Sequence, residues 1–143
     1  YLRLVGSEMC IRDRILKGQE FVPINGVNLV VSREELVELQ KKTNSLSVHD
    51  SIFDYIVTLI EKTRNSEYFT LGASPRGANS LLRMSRAMAL LSGRNYVVPD
   101  DIEAVFTAVL GHRVKLSSRA RANGFTVDTA LEEVRKSVKL PRT

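Results

Sequence analysis

Apolar residues recur at three- and four-residue intervals along most of this chain, and that spacing predicts amphipathic helices. Ser32 and Glu35 form a capping box ahead of Leu36 and Leu39. Lys41 and Lys42 follow, and Asn44 and Ser45 end the first helix. Ser47-Val48-His49-Asp50 is a second N-terminal signature of similar form, with His49 expected at the surface in the first turn. Ile52, Ile56, Leu59 and Ile60 then make a buried stripe, with Tyr55 and Arg64 near or off it. Tyr68 to Leu71 reads as a short extended segment. Ser74 is a good N-cap, and Pro75 fits the first position of the helix that follows. On that helix Leu81, Met84, Met88 and Leu91 form one face, Ala78, Ala87 and Ala89 keep it slim, and Gly93 stops it. Core packing is the expected role of its methionines.

Val97 and Val98 are extended, and Pro99 opens another helix. Its core residues are Ile102, Val105, Phe106, Val109 and Leu110, and Gly111 ends it before His112 and Arg113. The remainder is more polar and basic, with Lys115, Arg119 and Arg121 ahead of a break at Gly124. A last amphipathic helix starts at Thr126, uses Val127, Ala130, Leu131, Val134 and Val138, and closes at Pro141. The expected fold is mainly α, a bundle of about five helices with at most short β segments and no internal repeat.

The beginning of the chain reads differently. Tyr1 to Arg14 has no apolar period and looks like translated sequencing adapter, so this segment and Cys10 are set aside as non-native. Ile15 to Val31 is a connector broken by Pro23, Asn25 and Gly26, with Val27 to Val31 a short extended run. Because the first residue is Tyr1 rather than Met, the chain is expected to be a fragment of something longer.

Composition narrows the function classes. The 143 residues leave room for one domain with a modest core, and 43% hydrophobic with 26% charged residues is a globular balance. No apolar run approaches the length of a membrane span and no secretory pattern is present, so the expected compartment is the cytoplasm. A single cysteine excludes an internal disulfide, and two distant histidines, His49 and His112, offer no metal site. The net charge of +5 permits contact with phosphate or nucleic acid, but without Trp and with 6% aromatic residues there is little material for base stacking. The adjacent carboxylates Asp100 and Asp101 read as favourable first-turn charges rather than as a metal or acid–base pair. No glycine begins a G-x-x-x-x-G-K-[ST] loop, and no Ser, Cys or Thr has the context of a nucleophile. The chain alone is not expected to be an enzyme.

One stretch carries candidate chemistry: Leu71-Gly72-Ala73-Ser74-Pro75-Arg76-Gly77. Arg76 falls in the first helical turn, where a positive charge opposes the helix dipole. Free backbone N–H groups, an arginine and flanking glycines at a helix N-terminus are what a phosphate needs. Ser74, Arg76 and Gly77 are therefore the candidate binding residues, although on local sequence alone an ordinary capped helix with a tolerated surface arginine is the simpler reading.

From Gly72-Ala73-Ser74-Pro75-Arg76, through Arg86 to Leu90, Gly93 to Val97 and Pro99-Asp100-Asp101, to His112-Arg113, the chain resembles the helical lid of MoxR-family AAA+ ATPases. The resemblance runs from about Ile15 to Pro141 and includes Tyr55-Ile56-Val57 and Thr63-Arg64. The Ala-Ser-Pro-Arg form leans toward MoxR rather than the related lids of magnesium chelatase subunits. Asn95 and Val98 stand where the family commonly has acidic and threonine residues. The resemblance implies a lid over residues 32–113 and a basic C-terminal extension over 114–143, with residues 15–31 leading from an ATPase core. It implies that Arg76 is a sensor-2 arginine reaching the γ-phosphate of ATP, with Mg2+ held by that core and not by this chain. It further implies a hexameric ring and chaperone-like remodelling with von Willebrand factor A-type partners. Arg64, Arg94 and Arg113 lie in family-like blocks, as lid salt bridges or subunit contacts. The rival readings are a basic helical nucleic-acid-binding module, with Asn79, Arg83 and Arg86 on its recognition helix, and a protein-interaction bundle without ATPase activity.

Overall fold

The computed structural model describes residues 27–141; the adapter-like segment and most of the connector lie outside the described residues. The chain divides into two compact units, Tyr1–Leu36 and Val37–Thr143. In the first, the capping box forms: the Ser32 N–H donates to Glu35 Oε2 at 2.7 Å and the Glu35 N–H to Ser32 Oγ at 3.1 Å. These bonds hold the Glu35 carboxyl below the usual range, the backbone donor contributing most. The helix that starts there, α1 (Arg33–Asn44), buries no residue along its length.

The second unit is a mainly α bundle. After α1 come α2 (Asp50–Asn65), β1 (Phe69–Leu71), α3 (Pro75–Leu91) and α4 (Pro99–Leu110). A 3-10 turn (Gly111–Arg113), β2 (Lys115–Leu116), α5 (Ser118–Ala122) and α6 (Val127–Lys136) complete it. The two strands pair antiparallel, Phe69 with Leu116 and Leu71 with Lys115, across a bulge. Ile52, Leu59, Leu81, Ile102, Phe106, Leu110 and Leu131 are fully buried between the helices.

Three local expectations change. The second capping signature is displaced, because Ser47 spends its backbone on a bridge: its N–H donates to Asn95 O at 3.0 Å and its C=O accepts from Val97 N–H at 3.1 Å. The N-cap of α2 is His49, just outside the first turn, whose Nδ1 accepts the Ser51 N–H at 3.2 Å. On α3 the buried row is Gly77, Leu81, Ser85 and Ala89; of the predicted face, Leu81 is buried and Met88 is partly buried against the core. Met84 and Leu91 are 46% and 82% exposed. Small residues at three of these four positions let α3 approach α4 closely, and the Ser85 hydroxyl is satisfied by donating to Leu81 O at 2.9 Å. Finally, α5 was not foreseen, since five residues with only Ala120 buried are too short to show a period. Gly93 does end α3, at φ +73°, with Gly93 N–H bonding Leu90 O and Arg94 N–H bonding Ala89 O in a Schellman motif.

A polar network ties α2, α4 and α6 together. The Tyr55 hydroxyl donates to Glu103 Oε1 at 3.3 Å, and Arg135 bridges Glu103 at 2.7 Å and Glu132 at 2.5 Å. Burial above all, then the Glu103 charge, pushes the Tyr55 phenol up to about 12. The folded state thus prefers the neutral phenol. Its contribution to stability is complete below the ordinary tyrosine value of about 10 and is lost as pH rises through about 12. Absorbance titration at high pH should show a late phenolate step that Tyr55→Phe removes; an unchanged titration in that variant would contradict the assignment.

Candidate functional site: the N-terminus of α3

The junction between β1 and α3 is held by the last turn of α2. Thr63 Oγ1 accepts the Ala73 N–H at 2.9 Å while donating its own proton to Ile60 O at 2.7 Å. The neighbouring Arg64 donates Nε–H to Ala73 O at 2.7 Å. Both polar groups of one peptide-forming residue are therefore gripped by consecutive residues of one helix. Gly72 makes the approach possible. A Cβ there would lie 2.6 Å from Arg64 Cα and 2.7 Å from Thr63 O, both backbone atoms.

Past this junction the chain enters α3 with Ser74 at the N-cap and Pro75 at the first position. The Ser74 hydroxyl makes no capping bond; its carbonyl takes the Gly77 and Ala78 N–H groups at 2.8 and 3.3 Å. Arg76 is exposed in the first turn and pairs with no carboxylate among the described residues. Gly77 faces the other way: it is buried, and a Cβ would meet Leu110 Cδ2 at 3.2 Å and Arg113 Cδ at 3.8 Å. Ser74 and Arg76 thus present their side chains outward, while Gly77 lets the start of α3 sit against the end of α4.

The other arginines have separate places. Arg64 is the Ala73 clamp just described, a role with no signal in its own stretch of sequence because its acceptor is a backbone carbonyl nine residues on. Arg94 forks onto Asp101, Nη1 to Oδ2 at 2.8 Å and Nη2 to Oδ1 at 2.6 Å, and its Nη1 also reaches Tyr96 O at 3.3 Å. Asp101 is more than a first-turn charge: it is buried and also accepts the Val98 N–H at 2.9 Å. Arg113 has a buried Nε without a hydrogen-bond partner among the described residues. Between α3 and α4, Val97 is buried and Tyr96 is half-exposed.

Chemically, the start of α3 offers a fixed backbone and, in Arg76, a guanidinium with no carboxylate partner among the described residues. Among the described residues no group of three or more His, Cys, Asp or Glu side chains could hold a metal. No described helix is long and apolar enough to cross a membrane.

Comparison with known proteins bears on the fold and the family. The model of the AAA lid domain family matches residues 61–134, more than half of the chain and the whole stretch from the end of α2 into α6. The chain is 36% identical to the uncharacterized protein YeaC of Bacillus subtilis, over 83% of this chain and 37% of that protein. It is 31% identical to Chaperone MoxR1 of Mycobacterium tuberculosis, over 79% of this chain and 32% of that protein. The chain thus spans about a third of the length of these relatives. A crystal structure of a candidate ATPase from Cytophaga hutchinsonii superposes with a TM-score of 0.76 at 27% identity, covering 99% of this chain and 45% of that one. From the bundle and the family match over more than half of its length, the chain belongs to the AAA lid domain family, as a MoxR-type AAA+ lid.

Proposed function

We propose that this lid closes over ATP held by a P-loop core outside the present sequence, and that Arg76 reads the γ-phosphate there as a sensor-2 residue. The observation that carries the reading is the free guanidinium of Arg76, in a helical turn that disfavours positive charge, on a backbone fixed by Thr63 and Arg64. A local rule broken without a structural partner is the signature of a functional residue. The exposed Ser74 hydroxyl, left out of the cap, is a second polar group on the same side. Bound ATP and Mg2+ supply the phosphoryl chemistry; this chain supplies a positive charge at the transferred group and no metal ligand. Since the contact vanishes with the γ-phosphate, lid angle would follow nucleotide state. The kinship with a protein named Chaperone MoxR1 supports coupling of hydrolysis to chaperone-like remodelling. A cytoplasmic, hexameric ring with von Willebrand factor A-type partners belongs to the same proposal and rests on the MoxR resemblance alone.

The test is Arg76→Ala in the protein that joins this lid to a P-loop core. ATP turnover should fall at least about tenfold. Stability should stay within about 0.5 kcal/mol, because the side chain is exposed and unpaired. Unchanged turnover at saturating ATP would refute the sensor role.

A further inference from the structure

A groove of about 740 Å³ lies between the end of α1, the middle of α3 and the end of α4. Its apolar surface comes chiefly from Met84, over a floor where the largely buried Val105 and Val109 show only their edges, and Arg83, His112 and Arg113 supply its basic lining. No carboxylate is among the described residues that line it. Two features mark it as unfinished. Met84, a large apolar side chain in the middle of a packed helix, is 46% exposed here. The Arg113 Nε–H is buried without a partner among the described residues, a donor whose desolvation none of them offsets.

We propose that this groove receives an acidic amphipathic helix of a partner protein. An apolar edge would lie on Met84, Val105 and Val109, and carboxylates would meet Arg83 and Arg113. Charge complementarity decides the occupant: arginines accept carboxylates through two parallel bonds, and like charges are excluded. The apolar surface argues for a helix face rather than a bare phosphate backbone, and a methionine suits such a surface because it repacks easily. The size agrees, since Ser80 to Ala87 on α3 extends about 10 Å, two turns of a docked helix. A second copy of the chain is a poorer occupant, for it brings a net charge of +5 to a positive groove. The proposal is independent of the role of Arg76.

The probe is a fluorescein-labelled helical peptide of about four turns, braced by a lactam, with leucines at i, i+4 and i+7 and glutamates flanking them. Fluorescence anisotropy would follow its binding to the chain, to Arg83→Glu and to Arg119→Glu. The last variant makes the same charge change at an exposed residue that does not line the groove. Binding should weaken at least about tenfold in Arg83→Glu and much less in Arg119→Glu. A peptide with lysines in place of glutamates should not bind. Equal weakening in the two variants would reduce the effect to overall charge and overturn the proposal. So would no binding of the acidic peptide up to about 1 mM, equal binding of the lysine peptide, or displacement of the acidic peptide by a short DNA duplex. A dimer of the unliganded chain that Arg83→Glu dissociates would give the groove to a second copy instead.

Discussion

Arg94→Met is expected to destabilise the bundle by about 3 kcal/mol. Asp101 is only 4% exposed, and its two oxygens take the Arg94 fork at 2.6 and 2.8 Å. With the guanidinium removed, the carboxylate keeps one donor, the Val98 N–H at 2.9 Å, and the rest of its charge is stranded in the start of α4. Breaking one side of a buried pair costs about 3–5 kcal/mol. The lower end applies because the Arg94 side chain is 26% exposed and water can reach the site it leaves. Asp101→Asn retains an acceptor for Val98 and should cost less. The double variant Arg94→Met/Asp101→Asn should be more stable than Arg94→Met alone, because the stranded charge is gone. Urea unfolding of the four proteins measures the cycle; a loss below about 1 kcal/mol in Arg94→Met would mean that the pair contributes no more than a surface bridge.

Gly72→Ala is expected to cost a similar amount, about 3 kcal/mol, at the upper end of overpacking penalties. The added methyl would sit 2.6–2.7 Å from Arg64 Cα, Arg64 N and Thr63 O, and backbone of a helix cannot rotate away as a side chain would. The 72–74 segment must therefore lift from α2, breaking the two bonds to Ala73 and displacing the start of α3. Hydrogen exchange gives the local readout. The Ala73 amide, bonded to Thr63 Oγ1, should lose protection in the variant. Retained protection together with an unchanged unfolding midpoint would show that the junction is softer than its geometry implies.

Much of the bundle was legible because its helices obey their period. Ile52, Leu59, Ile102, Phe106 and Leu131 are buried where apolar spacing predicts, and Ser32, Thr126 and Pro99 start helices where they should. The failures share one cause. Burial on α3 follows helix separation, not side-chain size, so Gly77, Ser85 and Ala89 face inward while Met84 and Leu91 stay out. His49 caps α2 because the backbone of Ser47 is used by a residue nearly fifty positions away, a pairing that no local pattern encodes. The odd placement of Arg76 was visible in sequence as a charge against the dipole. The clamp that fixes it was not, because Thr63 and Arg64 act on the main-chain atoms of Ala73, and a backbone acceptor leaves no trace in residue identity.

That clamp gives α2 a mechanical meaning. Gripped at both polar groups of Ala73, the last turn of α2 and the first turn of α3 move as one piece, with Arg76 at one end of a stiff rod. The rod is α2 itself, 16 residues or about 24 Å long, so a tilt of about 10° at the arginine end carries the Asp50 end some ~4 Å. If Arg76 reads a phosphate as proposed, the junction would work as a lever with a short input arm and a long output arm, and a small displacement at the arginine would be enlarged at the far end of α2.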